Sequence, residues 1–210
     1  MSELKLRAEM CEVGRRLWQR GLVGGCEGNI SARLSAQRIL CTPTGVSKGH
    51  LRPADLVVID NHGNPVGEGR PSSEIKLHVR MMQKRPDCMA VVHAHPPIAT
   101  GFALAGEDIP DDVLPESCFI LGSVASVPFA MPGTDEVPDL IEPLLEDHKT
   151  FLISHHGAAA MGRDLFDAYH RMETLERVAQ VVLYARLIGE ARPMPDRAFD
   201  RLQGFLNGRL

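Results

Sequence analysis

The run Val91-Val92-His93-Ala94-His95-Pro96-Pro97 ends an apolar stretch with two imidazoles one residue apart. Side chains two apart on an extended chain share a face, so His93 and His95 would lie side by side with Ala94 pointing away. Their backbones would be roughly 6 to 7 Å apart, and one ion about 2.0 to 2.1 Å from each ring nitrogen can be reached by both. Alone, such a pair fits two half-exposed histidines finishing a strand better than it fits a ligand set. A second apolar run, Phe151-Leu152-Ile153-Ser154-His155-His156-Gly157, also ends in histidine. Alternation would turn His155 and His156 to opposite faces, so one of the two is expected to join His93 and His95. Three imidazoles with an open position are the donor set of a catalytic rather than a structural zinc. His50, His62, His78, His148 and His170 have no partner at ligand spacing and read as surface or packing residues.

Three further stretches can hold an anion. Arg70-Pro71-Ser72-Ser73-Glu74 puts two hydroxyls at an expected helix start, where free backbone N–H groups favour negative charge. Thr42-Pro43-Thr44-Gly45 and Gly28-Asn29-Ile30-Ser31 add donors on tight, glycine-containing turns. Each is ordinary as a cap or turn, and the combination carries the weight. Glu74 would sit between anion donors and metal, where a carboxylate can move a proton, although a first-turn carboxylate also suits the helix dipole.

The elements that must position these residues follow from periodicity. Leu6, Met10, Val13 and Leu17 predict a helix over residues 3 to 20, with Ser2 as cap and Gly21 as stop. The glycine-rich run 21 to 29 reads as irregular, followed by short strands at 38 to 42 and 56 to 60. Ser72 is expected to cap a helix carrying Ile75, Val79 and Met82. Strands are predicted at 89 to 95, 118 to 129 and 150 to 155, a helix over 134 to 148, and a long amphipathic helix over 164 to 188. Interleaved strands and helices imply an α/β protein, a sheet covered by helices.

The 210 residues suit one domain spanning 1–210, with 44 % hydrophobic and 24 % charged residues as in ordinary globular proteins. A net charge of −4 offers no basic surface for nucleic acid, and a small anionic substrate remains compatible. The charged N-terminus and the lack of about 18 uninterrupted apolar residues predict a cytoplasmic protein with no membrane span. The five scattered cysteines lack a C-x-x-C, so any metal would be held by imidazole and carboxylate.

Taken in order, Gly28-Asn29-Ile30-Ser31, Thr42-Pro43-Thr44-Gly45, Pro71-Ser72-Ser73-Glu74, Arg85-Pro86-Asp87, His93-Ala94-His95, Pro132-Gly133-Thr134, His156-Gly157 and Met172-Glu173-Thr174-Leu175-Glu176 resemble the class II aldolase/adducin family over nearly the whole chain. The resemblance implies a three-layer α/β/α domain with a mainly antiparallel central sheet, assembled as a homotetramer with sites at subunit interfaces. By the same likeness His93, His95 and His156 match the Zn2+ ligands, with Mn2+ or Co2+ as other divalent ions the site would accept. Glu74 matches the catalytic carboxylate, and Asn29, Thr44, Gly45, Ser72 and Ser73 match the pocket for the phosphate of a small phosphorylated sugar. The implied reaction cleaves a ketose 1-phosphate to dihydroxyacetone phosphate and an aldehyde. Epimerisation, decarboxylation or dehydration would use the same ligands, and a non-catalytic adducin-like module is a further alternative. L-fuculose-1-phosphate aldolases of the family carry a tyrosine after the H-x-H strand. Here Asp112 to Phe119 has none, and Tyr169 and Tyr184 both fall on the long helix. Glu116 in that segment could replace the missing acid or could equally be a surface carboxylate near Pro115, and the absence points to a less hydroxylated aldehyde, as from a 5-deoxy- or 5-methylthio-pentulose 1-phosphate.

Overall fold

The structure, a computed structural model, describes residues 2–206. Helix α1 (Glu3–Gln19) begins where Ser2 Oγ accepts the Lys5 amide at 3.4 Å, and it buries Leu6, Met10, Val13 and Leu17 as their spacing requires. Strands β1 (Asn29–Ser35), β2 (Arg38–Cys41) and β3 (Val57–Asp60) follow, then α2 (Ile75–Lys84), β4 (Ala90–Ala94) and α3 (Pro97–Ala105). The second half supplies β5 (Val124–Val127), α4 (Glu136–Ile141), β6 (Thr150–Ile153), β7 (Gly157–Gly162), α5 (Leu165–Ile188) and α6 (Asp196–Leu206).

The strands form one seven-stranded sheet in the order β3-β2-β1-β4-β7-β6-β5, antiparallel except for the β5–β6 pair. Strand alternation divides the core in two. Ile30, Ala32, Val92, Ala94, Ala158 and Ala160 pack with residues of α1, α3 and α5, whereas Val91, Ala159, Met161, Phe151 and Ile153 pack with residues of α2 and α4. This is the expected three-layer α/β/α arrangement with a mainly antiparallel sheet. Strand β4 lies at its centre, between β1 and β7, and delivers His93 on the α2 side.

Several local expectations need correction. Strand β1 rises directly out of the glycine-rich run with only Ile30 and Leu34 as large apolar residues, and β7 is built almost wholly of Gly and Ala, so neither shows the run of large apolar residues by which strands are read. Pro96 and Pro97 follow His95 directly at the end of the β4 run. They start α3, because a helix's first residues need no N–H partner. The stretch 118 to 129 is not one strand: Ser117–Leu121 forms a single π-type helical turn closed by Gly122 at φ 64°, and only Val124–Val127 is extended. The helix expected over 134 to 148 is broken into α4 and a 3-10 turn at Glu142–Leu144, whose second residue is Pro143. No helix among the described residues is long and apolar enough to cross a membrane.

His78 on α2 is wholly buried, with Nδ1 2.6 Å from Ser31 Oγ of β1, and burial pushes its pKa down to about 3. An imidazole kept neutral inside stabilises the fold fully above its unfolded value near 6.5, and this contribution falls away as the pH drops from there towards about 3. Urea midpoints measured between pH 7 and pH 4 should therefore decline in the wild type and decline less in His78→Gln; parallel declines would contradict the assignment. On the other face, Ala160→Leu should overpack β7 against α5 and cost about 1–3 kcal/mol, read as a lower thermal midpoint.

Candidate active site and metal centre

Glycine permits the approach of the strand ends that form the site. A Cβ on Gly157 would lie 2.5 Å from the Ala94 carbonyl oxygen and 2.8 Å from His95 Cδ2, and one on Gly28 would lie 2.8 Å from the His93 carbonyl oxygen. Neither strand could close on the H-x-H end of β4 with a larger residue there. His155 and His156 both sit in the turn between β6 and β7, not on the strand, and His155 takes φ 54°. The turn, rather than alternation, exposes His155 and brings His156 inward.

His93, His95 and His156 converge with ring centroids 4.7 to 5.1 Å apart. His93 Nε2 and His95 Nε2 are 3.2 Å apart. Two nitrogens bound tetrahedrally at about 2.0 to 2.1 Å would be separated by about 3.3 Å, so the pair is spaced for one ion. One ligand atom from each ring lies within 4.8 Å of the others. His93 Nδ1 is 2.9 Å from the Ala158 carbonyl oxygen, which only accepts, so Nδ1 carries the proton and Nε2 is free to ligate. His95 Nδ1 similarly faces Glu27 Oε2 at 3.5 Å. Burial, reinforced by the neighbouring His93 and His156 rings, lowers the His95 pKa to about 4 and leaves it a neutral imidazole at pH 7. The residues present thus fit a divalent metal.

Glu74 closes the cluster from the N-cap of α2. Its Oε1 lies 3.0 Å from His156 Nε2 and its Oε2 3.3 Å from His93 Nε2, while Asn29 Nδ2 donates to Oε2 at 2.9 Å. Burial alone would raise the Glu74 pKa, but contact with His156 and His93 outweighs it and holds the carboxyl well below the usual range. Asn29 Oδ1 and His156 Nδ1 are buried without a partner among the described residues, leaving polar atoms at the site for a ligand or water to satisfy.

The anion stretches adjoin this cluster. Pro43 bridges Pro71, the Ser72 amide donates to the Thr42 carbonyl at 3.2 Å and the Thr44 amide to the Arg70 carbonyl at 3.1 Å, so this antiparallel pairing ties the Thr42–Thr44 stretch to the Arg70–Ser72 stretch. The Ser72 hydroxyl accepts the Glu74 amide at 3.3 Å, and helix α2 proper begins only at Ile75. Ser72 therefore braces Glu74 instead of capping the helix, because residues 72 to 75 form a separate turn. Glu116 is exposed at the start of the Ser117–Leu121 turn, with no side-chain contact to the histidines in this chain. Tyr169 donates its hydroxyl to Glu173 at 2.9 Å and Tyr184 accepts from Gln180 at 3.2 Å, so each phenol is engaged within α5. Sequence reasoning missed Glu27, whose position behind His95 had no signal beyond a carboxylate in a glycine-rich run.

The class II aldolase and adducin N-terminal domain model matches residues 8–183. A 3-oxo-tetronate 4-phosphate decarboxylase of Haemophilus influenzae is 33% identical over 185 residues, 86% of this chain and 88% of that protein. A 5-methylthioribulose-1-phosphate/5-deoxyribulose-1-phosphate aldolase of Rhodospirillum rubrum is 32% identical over 201 residues, 96% of this chain and 90% of that protein. The crystal structure of YgbL from Klebsiella pneumoniae superposes with a TM-score of 0.90 at 30% identity, covering 96% of this chain and 99% of that one. With its fold, histidine cluster and order of motifs all accounted for, the chain belongs to the class II aldolase and adducin family.

Proposed function

We propose that the protein is a divalent-metal lyase, with Zn2+ as its ion, that cleaves a small ketose 1-phosphate to dihydroxyacetone phosphate and an aldehyde. The observation that carries this reading is the meeting of three imidazoles with both oxygens of Glu74, at 3.0 and 3.3 Å from His156 and His93. A divalent ion held by His93, His95 and His156 supplies Lewis-acid stabilisation of the negative charge left on a carbonyl oxygen when a neighbouring carbon–carbon bond breaks. Asn29, Thr44, Gly45, Ser72 and Ser73 hold the phosphate and fix the sugar relative to Glu74. Glu74, ionised and hydrogen-bonded to Asn29, carries the proton to or from C3. The neighbouring 5-methylthioribulose- and 5-deoxyribulose-phosphate aldolase favours a short, sparsely hydroxylated aldehyde. In keeping with the family, the working unit is a homotetramer in the cytoplasm.

A second reading has its own support. Retro-aldol cleavage requires a base for the C4 hydroxyl, and among the described residues no phenol or second carboxylate other than Glu27 lies against the histidines. A 3-oxo acid phosphate loses carbon dioxide from a group already ionised, so one proton carrier, Glu74, suffices. The decarboxylase likeness favours the same chemistry. Glu116 would serve the aldolase only if supplied across a subunit boundary.

Metal-loaded protein incubated with ketose 1-phosphates and with 3-oxo acid phosphates separates the readings. Dihydroxyacetone phosphate formed in step with aldehyde supports the lyase, and carbon dioxide with a ketone phosphate supports the decarboxylase. Neither product from folded, loaded protein would contradict both. Glu74→Gln should keep most of its metal while turnover falls about 10² to 10⁴-fold. His95→Ala should lose metal on dialysis as well as activity. A Glu74→Gln variant within a few-fold of wild type would remove Glu74 from the mechanism.

A further inference from the structure

Lys48 is one of the largest fully buried side chains, 2% exposed, and begins the short 3-10 turn Lys48–His50. Lysine is rarely buried unless paired. Its ammonium donates to the carbonyls of Cys26 at 2.8 Å and Val46 at 2.6 Å. Among the described residues no carboxylate reaches ion-pair distance of it. The charge is therefore kept inside with dipoles as its direct partners; the Glu27 and Glu74 carboxylates act on it only from beyond ion-pair distance and burial outweighs them, an arrangement that costs stability unless an anion completes it.

Its two carbonyl partners belong to the two loops that flank the phosphate donors. Cys26 precedes Asn29, and Val46 follows Thr44 and Gly45; the Cys26 thiol also reaches the Gly45 carbonyl at 3.3 Å. Backbone packing fixes the lysine from behind, since the Lys48 carbonyl lies against Gly14 of α1. The five donors assigned to the phosphate, Asn29, Thr44, Gly45, Ser72 and Ser73, are all neutral.

We propose that Lys48 is the positioning residue of the anion pocket: it ties the Gly24–Gly28 and Thr42–Ser47 loops together and supplies the charge that their neutral donors lack, selecting a phosphate dianion. This rests on the phosphate-pocket assignment made above, so the test must separate the two. The probe is inorganic phosphate, titrated calorimetrically into metal-loaded protein, with wild type, Ser73→Ala, Lys48→Met and Lys48→Gln compared. Metal content and thermal midpoint are measured on each. Lys48→Gln can still donate to one carbonyl, and it replaces Lys48→Met if that variant fails to fold.

Ser73→Ala and the Lys48 variants should each weaken phosphate binding about tenfold or more while keeping one metal per chain. The ionic-strength dependence of binding should flatten only in the Lys48 variants, which a merely structural lysine would not cause. If Ser73→Ala weakens binding while the Lys48 variants stay within about threefold of wild type, the role of Lys48 is overturned and the pocket stands. If Ser73→Ala binds phosphate like wild type, or wild type binds none, the pocket assignment falls and this inference falls with it.

Discussion

Two imidazole nitrogens, His93 Nε2 and His95 Nε2, face each other at 3.2 Å, with a third ring on the same point. With the His93 proton on Nδ1 towards the Ala158 carbonyl and the His95 proton on Nδ1 towards Glu27, the two Nε2 lone pairs would face one another there, and charged rings would repel. Only something between or beside them can make the arrangement favourable. In this chain the nearby partner is the Glu74 carboxylate, and the spacing also admits a metal ion, which would relieve the conflict entirely. Much of the fold serves to hold this otherwise unfavourable meeting.

The central position of β4 places His93 where neighbouring strands restrain it on both sides, opposite Asn29 of β1 and Ala159 of β7. The β1 register sets Asn29 against His93, and its side chain donates to Glu74. On the other side of the sheet, α5 steadies the chain just after His95: Glu176 accepts the Ile98 and Ala99 amides at 2.9 to 3.1 Å, capping α3 where Pro96 cannot. His93 thus rests on the central strand and Glu74 at a helix start, while His95 and His156 sit in connections held by adjoining strand ends, which favours precise geometry.

The chemistry-bearing residues were easier to recognise in the sequence than the scaffold beneath them. His93, His95 and Glu74 are polar residues at the boundaries of apolar or capping patterns, and their places follow from strand alternation and helix starts. His156 was reached by likeness to the family, because alternation left His155 open and the deciding feature is a turn with His155 at φ 54°. Strands β1 and β7 escaped notice because Asn, Ser, Gly and Ala there fill narrow space between packed layers, so their strand character comes from neighbours rather than from propensity. Glu27 and Lys48 act through contacts distant in sequence, which no local pattern encodes.

X-ray absorption at the metal edge of the purified, metal-loaded protein tests the central claim most directly. The expected result is one divalent ion per chain with a first shell containing three imidazole nitrogens at about 2.0 to 2.1 Å and the remaining positions oxygen. A shell of oxygen alone, or protein that takes up no ion while remaining folded, would contradict it.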